Sequence, residues 1–150
     1  MGVRATLLTL LVAALTTLCA SVFGQQRPAP PPAFQIIVHP SNEVTVVQRS
    51  FVEEAFLKKI TTWPAGEVIR PADLAADSPV RRAFTHDVLN RSVDAVKGYW
   101  QQRIFAGRDV PPPEFGSDEE IVNFVLKHPG GIGYVSGTAK LDGCRTVAVR

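Results

Sequence analysis

Apolar and polar positions run along this chain in blocks of changing period, and each change marks an element. Leu7–Leu18 (LLTLLVAALTTL) is an uncharged apolar run near the start, and the next apolar block is Phe34–Val38 (FQIIV), ended by His39-Pro40. A run so short, bounded by a turn signal, predicts a buried strand. From Ser50 the period lengthens: Phe51, Val52, Ala55, Phe56 and Ile60 fall on one face of a helix, and Ser50 with Glu53 has the spacing of a capping box. Trp63-Pro64 stops that helix, Gly66 turns the chain, and Val68-Ile69 predicts a second short strand.

Asp77-Ser78-Pro79 predicts the next helix start, a capping side chain followed by proline at the first helical position. Val80, Ala83, Phe84 and Val88 line its inner face. Ser92 caps a third helix with Val93, Val96, Trp100 and Ile104 inward and Gly107 as its stop. Asp109–Phe115 (DVPPPEF) is a proline-rich connector. Ser117 and Glu120 form a second capping box, opening a fourth helix packed by Ile121, Val122, Val125 and Leu126. Pro129-Gly130-Gly131 ends it, and Ile132–Val135 and Arg145–Val149 predict the last two strands. Strands spaced by helices place the chain in the α/β class: a mixed sheet flanked by about four helices.

The apolar run at the start changes the picture of where the protein works. Arg4, the uncharged Leu7–Leu18 core and the small residues before Gln25 have the three-part form of a cleavable export signal, residues 1–24. The core is short for a bilayer of about 30 Å and ends without a charged stop. Leu18 stands where a lipidated Cys19 would want a small residue, so release into the periplasm or medium is the expectation. Residues 25–33 (QQRPAPPPA) are too proline-rich for a helix and too polar to pack, and read as an extended tether. Residues 34–150 then form one domain, long enough to bury a core without staples.

Composition excludes more than it suggests. Sixteen Lys and Arg stand against 14 Asp and Glu, a balance that gives no nucleic-acid footprint. Of two cysteines, only Cys144 follows the signal, which leaves no internal disulfide. The histidines His39, His86 and His128 have no ligand spacing, and no metal or other cofactor is expected. Neither a nucleophile elbow nor a phosphate loop is present. Gly130-Gly131-Ile132-Gly133 follows a helix and enters a strand, the reverse of a dinucleotide fingerprint, so these glycines are expected to fold the helix end back into the sheet. Glu53, Glu54, Glu119 and Glu120 are first-turn or capping carboxylates. No catalytic residue is expected.

The most suggestive chemistry lies at Asp77–Arg82 (DSPVRR). A helix start offers unpaired N–H groups and the positive end of a dipole, which favour an anion. Ser78 supplies a hydroxyl, and Arg70 and Arg81 supply charge. The alternative is a plain helix cap beside solvated arginines.

Glu119–Val135 (EEIVNFVLKHPGGIGYV) resembles the late helix–turn–strand of phosphate-binding periplasmic proteins, the substrate-binding components of ABC transporters. Val38–Asn42 (VHPSN), Phe56–Pro64 (FLKKITTWP) and Ser78–Phe84 (SPVRRAF) follow that family's order and spacing, so the resemblance spans Phe34–Val149. It implies the type II binding-protein architecture, two α/β lobes holding phosphate in the cleft between them. At this length the chain corresponds to a single lobe. The resemblance also implies that Arg70 and Ser78 match the family's anion-binding Arg and Ser, although Pro79 and Val80 stand where it has Gly and Thr. The expected function is therefore non-catalytic binding of phosphate or a related oxyanion at Arg70, Ser78 and Arg81, or accessory service to a transporter permease. The alternative is an interaction module with no ligand, using Trp63, Tyr99 or Trp100 on an open face to hold an envelope protein or a second copy.

Overall fold

The computed structural model describes residues 33–150. The export signal and all of the proline tether except Ala33 lie outside the described residues. A five-stranded mixed sheet forms the centre, in the order β2-β7-β1-β6-β3. Its strands are β1 (Phe34–Val38), β2 (Val46–Val47), β3 (Arg70–Pro71), β6 (Gly131–Ser136) and β7 (Arg145–Val149). Strand β1 runs antiparallel to β6 and β7, with Ile36 opposite Tyr134 and Val147. The short edge strands β2 and β3 pair parallel with β7 and β6. Among the described residues four helices flank the sheet: α1 (Arg49–Phe56), α2 (Pro79–Asp87), α3 (Val93–Phe105) and α4 (Asp118–Lys127), and two further short strands, β4 (Asp73–Leu74) and β5 (Glu114–Phe115), pair separately. The α/β class with four helices agrees with the sequence expectation.

Two of the predicted helix starts form as read. Ser78 accepts a hydrogen bond from the Arg81 amide, and Ser92 accepts one from the Ala95 amide at 3.1 Å. At α4 Ser117 accepts from the Glu120 amide, but the Glu120 carboxylate returns to the Gly116 amide at 2.7 Å, not to Ser117. The Ser50 capping box does not form: the N-cap is Gln48, two residues earlier, so α1 begins at Arg49, and no side chain caps it. The Arg49 amide instead donates to the Arg150 carbonyl at 2.8 Å, so the sheet edge satisfies this helix end. The second strand is also displaced. Val68 makes only an isolated bridge to Thr62, and the sheet is joined by Arg70 and Pro71.

Glycine sets how tightly β6 is held. A Cβ at Gly130 would lie 1.8 Å from the Val68 carbonyl oxygen, and one at Gly133 would lie 2.6 Å from an Ile121 methyl. The Gly130 carbonyl accepts from the Arg70 amide at 2.9 Å and from the Trp63 indole at 3.1 Å. The glycine run thus brings the end of α4 back into the sheet, with β3 and Trp63 closing over it.

Between sheet and helices an aromatic cluster fills the core. Phe84 of α2 stacks on Tyr134 of β6 at 3.8 Å between ring centroids, and Phe56 and Phe34 pack on Phe84 at 4.7 and 5.6 Å. Each such side chain removed from water contributes ~1.5–3 kcal/mol. Burying Tyr134 completely requires a partner for its hydroxyl, and that requirement positions the site described next.

Candidate functional site

A second, two-stranded sheet was not legible in the sequence. Strand β4 (Asp73–Leu74) pairs parallel with β5 (Glu114–Phe115), at the end of the proline-rich connector. This pairing brings Asp73, Glu114, Arg81 and Tyr134 together. The Tyr134 hydroxyl donates to one Asp73 carboxylate oxygen, and the Leu74 amide donates to the same oxygen at 3.1 Å. Asp73's other oxygen meets an Arg81 terminal nitrogen at 3.0 Å. Arg81's second terminal nitrogen donates to the Leu74 carbonyl and to Glu114 at 2.7 Å. Arg81 is only 4% exposed, and its Nε has no partner among the described residues.

Burial pushes the Asp73 carboxyl up to about 6, although Arg81 and the Tyr134 hydroxyl both pull it down. Burial drives the Tyr134 hydroxyl well above its ordinary range, and Asp73's charge adds to this. The hydroxyl therefore stays protonated and acts as a fixed donor. At neutral pH Asp73, Glu114 and Arg81 together carry one net negative charge.

The expected site residues occupy different environments. Ser78 and Arg81 lie together, joined by the cap bond from the Arg81 amide to the Ser78 hydroxyl at 3.4 Å. The guanidinium of Arg81 faces inward, to the carboxylates. Arg70 is exposed on edge strand β3 and makes no ion pair among the described residues. Pro79 has no N–H, so Val80 is the first α2 amide able to donate outward. Arg82 donates to the Asp77 carbonyl at 2.7 Å. Asp73 and Glu114 were missed in the sequence. The available clue was Asp73 itself, a charged residue inside the apolar run Pro71–Leu74.

Other candidates resolve into structural roles. The Nδ1 atoms of His39, His86 and His128 contact Ser41, Asp87 and the Phe124 carbonyl, each at 2.7 Å. Burial, then the charge of Asp142, pushes the Cys144 thiol up to about 11, which keeps it protonated inside the core. Trp100 is buried, as its inward place on α3 predicts, and Trp63 is buried too, so neither lies on the open face of the alternative reading; Tyr99 is half-buried with its hydroxyl on the Leu57 carbonyl at 2.9 Å. Ile104, expected inward, is 49% exposed. With Phe105, 90% exposed, and Val110, 61% exposed, it leaves apolar surface where α3 ends.

No protein-family profile and no curated protein matches the sequence. Solved structures match it in fold. An ABC-type phosphate transport receptor from Vibrio cholerae superimposes with a TM-score of 0.58 at 16% identity, covering 78% of this chain and 46% of its own. PstS from Borrelia burgdorferi gives 0.60 at 14% identity, covering 79% and 47%. A substrate-binding protein from Clostridium perfringens, solved with bound phosphate, gives 0.61 at 21% identity, covering 78% and 44%. The chain has a periplasmic-binding-protein fold. It spans about half the length of these neighbours. Within that fold, the buried ion cluster ties α2 to the β4–β5 sheet, and Ser78 opens α2 at the outer end of the same turn.

Proposed function

We propose that this protein is an exported, non-catalytic lobe of the solute-receptor kind, serving as an accessory component that binds another envelope protein. The state of Arg81 carries this reading. Both terminal nitrogens of its guanidinium are taken up by Asp73, Glu114 and the Leu74 carbonyl. An anion approaching the start of α2 would meet a helix with no N–H at its first position and a cluster of net negative charge. The apolar surface at Ile104, Phe105 and Val110 supports a protein partner. The test is solution mass together with capture of a partner by the purified protein. A strict monomer that captures no envelope protein removes this reading.

Binding of phosphate or a related oxyanion at Arg70, Ser78 and Arg81 is the second reading. Two observations favour it: the Clostridium perfringens neighbour holds phosphate, and the exposed Arg70 and the Val80 amide remain available. Titration with phosphate and with sulfate by calorimetry separates the two. Coupling to a transporter permease belongs to this second reading and requires that anion heat first be seen.

A further inference from the structure

A cavity of about 350 Å³ lies between α2, α3 and the connector that leads into β5. One face of α3 forms its long wall, with Asp94, Lys97, Trp100 and Ile104 at helical spacing. Arg81 and Glu114 close the opposite side. At a rise of about 1.5 Å per residue, Asp94 and Ile104 stand ~15 Å apart along the helix. The wall is thus charged at its N-terminal end and apolar at its C-terminal end, with Trp100 between. The volume is at the small end of the range for small-molecule sites, about 300–1,000 Å³.

Charge decides what fits. Arg81 is matched by Asp73 and bonded to Glu114. Lys97, which makes no ion pair among the described residues, stands against Asp94 on the same helix. The charged lining residues Arg81, Glu114, Asp94 and Lys97 balance, and Asp73, buried behind Arg81 and outside the lining, leaves the group with one negative charge near neutral pH. An anion adds to the imbalance, and a monocation cancels it.

We propose that this cavity is a binding site for a small primary amine with an apolar body. The ammonium lies against Glu114 and Asp94, and the body lies along Trp100 and Ile104. Lys97 is the competing cation, so its removal strengthens binding.

Three ligands with one carbon skeleton test this: 3-methylbutylamine, 3-methylbutanol and 3-methylbutanoate, titrated near neutral pH and followed in the amide NMR spectrum. The amine is expected to shift α3 amides from Val93 to Ile104 with millimolar affinity, and the carboxylate to bind about tenfold more weakly or not at all. Lys97→Gln is expected to tighten the amine several-fold. Asp94→Asn and Glu114→Gln are expected each to weaken it, by about tenfold for a lost charge contact. Asp94 and Lys97 are both exposed, so their variants keep the test open should Glu114→Gln disturb the ion cluster. Equal binding of amine and carboxylate, no α3 shifts with the amine, or a weaker amine complex in Lys97→Gln would each overturn the assignment.

Discussion

Arg81 of α2 and Asp73 of β4 are bound at 3.0 Å, with both side chains almost sealed from water. The pair joins the second sheet to the main core through Tyr134. Removing one partner of a buried pair leaves the other uncompensated, at a cost of about 3–5 kcal/mol. Arg81→Met is therefore expected to lose that much stability at about pH 8, where Asp73 is ionised. At about pH 5 the penalty should shrink, because the stranded carboxyl takes up a proton. Urea unfolding at both pH values measures this, and equal losses would show that Asp73 is not the stranded charge.

Asp73 also gives the wild-type protein a pH signature. Its folded value of about 6 lies above the ordinary 3.8, so the folded state holds the proton more tightly. Its contribution is fully present below the unfolded value and is lost as pH rises through about 6, on the order of 3 kcal/mol in total. Asp73→Asn cannot titrate. The stability advantage of wild type over this variant is expected to fall between about pH 4 and about pH 7. A constant difference would mean that the carboxyl titrates normally.

Gly130 and Gly133 differ in what crowds them. The atom facing Gly130 is backbone, the Val68 carbonyl at 1.8 Å, whereas Gly133 faces an Ile121 side-chain methyl at 2.6 Å. Side chains shift more readily than backbone. Gly133→Ala is expected to cost about 1–3 kcal/mol and Gly130→Ala more, with β3 displaced from β6. Thermal unfolding gives the order, and the reverse order would contradict the packing described for β6.

Phe105 contributes little to the fold, since its ring is almost wholly in water. Phe105→Ser is expected to change stability by less than about 0.5 kcal/mol. The same change should reduce partner capture or self-association. A large loss of stability with no effect on association would assign Phe105 to the fold instead.

Much of this architecture was legible in the residues because local chemistry decided it. The Ser78 and Ser92 caps, the α4 stripe of Ile121, Val122 and Val125, and the glycine turn into β6 each depend on neighbours within a few positions. What escaped depends on distant partners. The start of α1 is set by Arg150, at the far end of the chain, so the local Ser50–Glu53 spacing misled. Strand β4 exists because the connector returns Glu114 beside Asp73. Arg81 has the same one-letter pattern whether it faces water or two carboxylates, so only tertiary packing reveals that its charge is taken up inside. Trp63 escaped for a related reason: its indole is enclosed by the Gly130 carbonyl, 67 positions away in the chain.

The direct test of the central claim is calorimetric titration of the protein with phosphate near neutral pH, with sulfate alongside. With the Arg81 guanidinium committed to Asp73 and Glu114, no saturable heat is expected up to millimolar anion. Micromolar phosphate binding that is lost in Arg70→Ala or Ser78→Ala would contradict the account and establish the protein as an anion receptor.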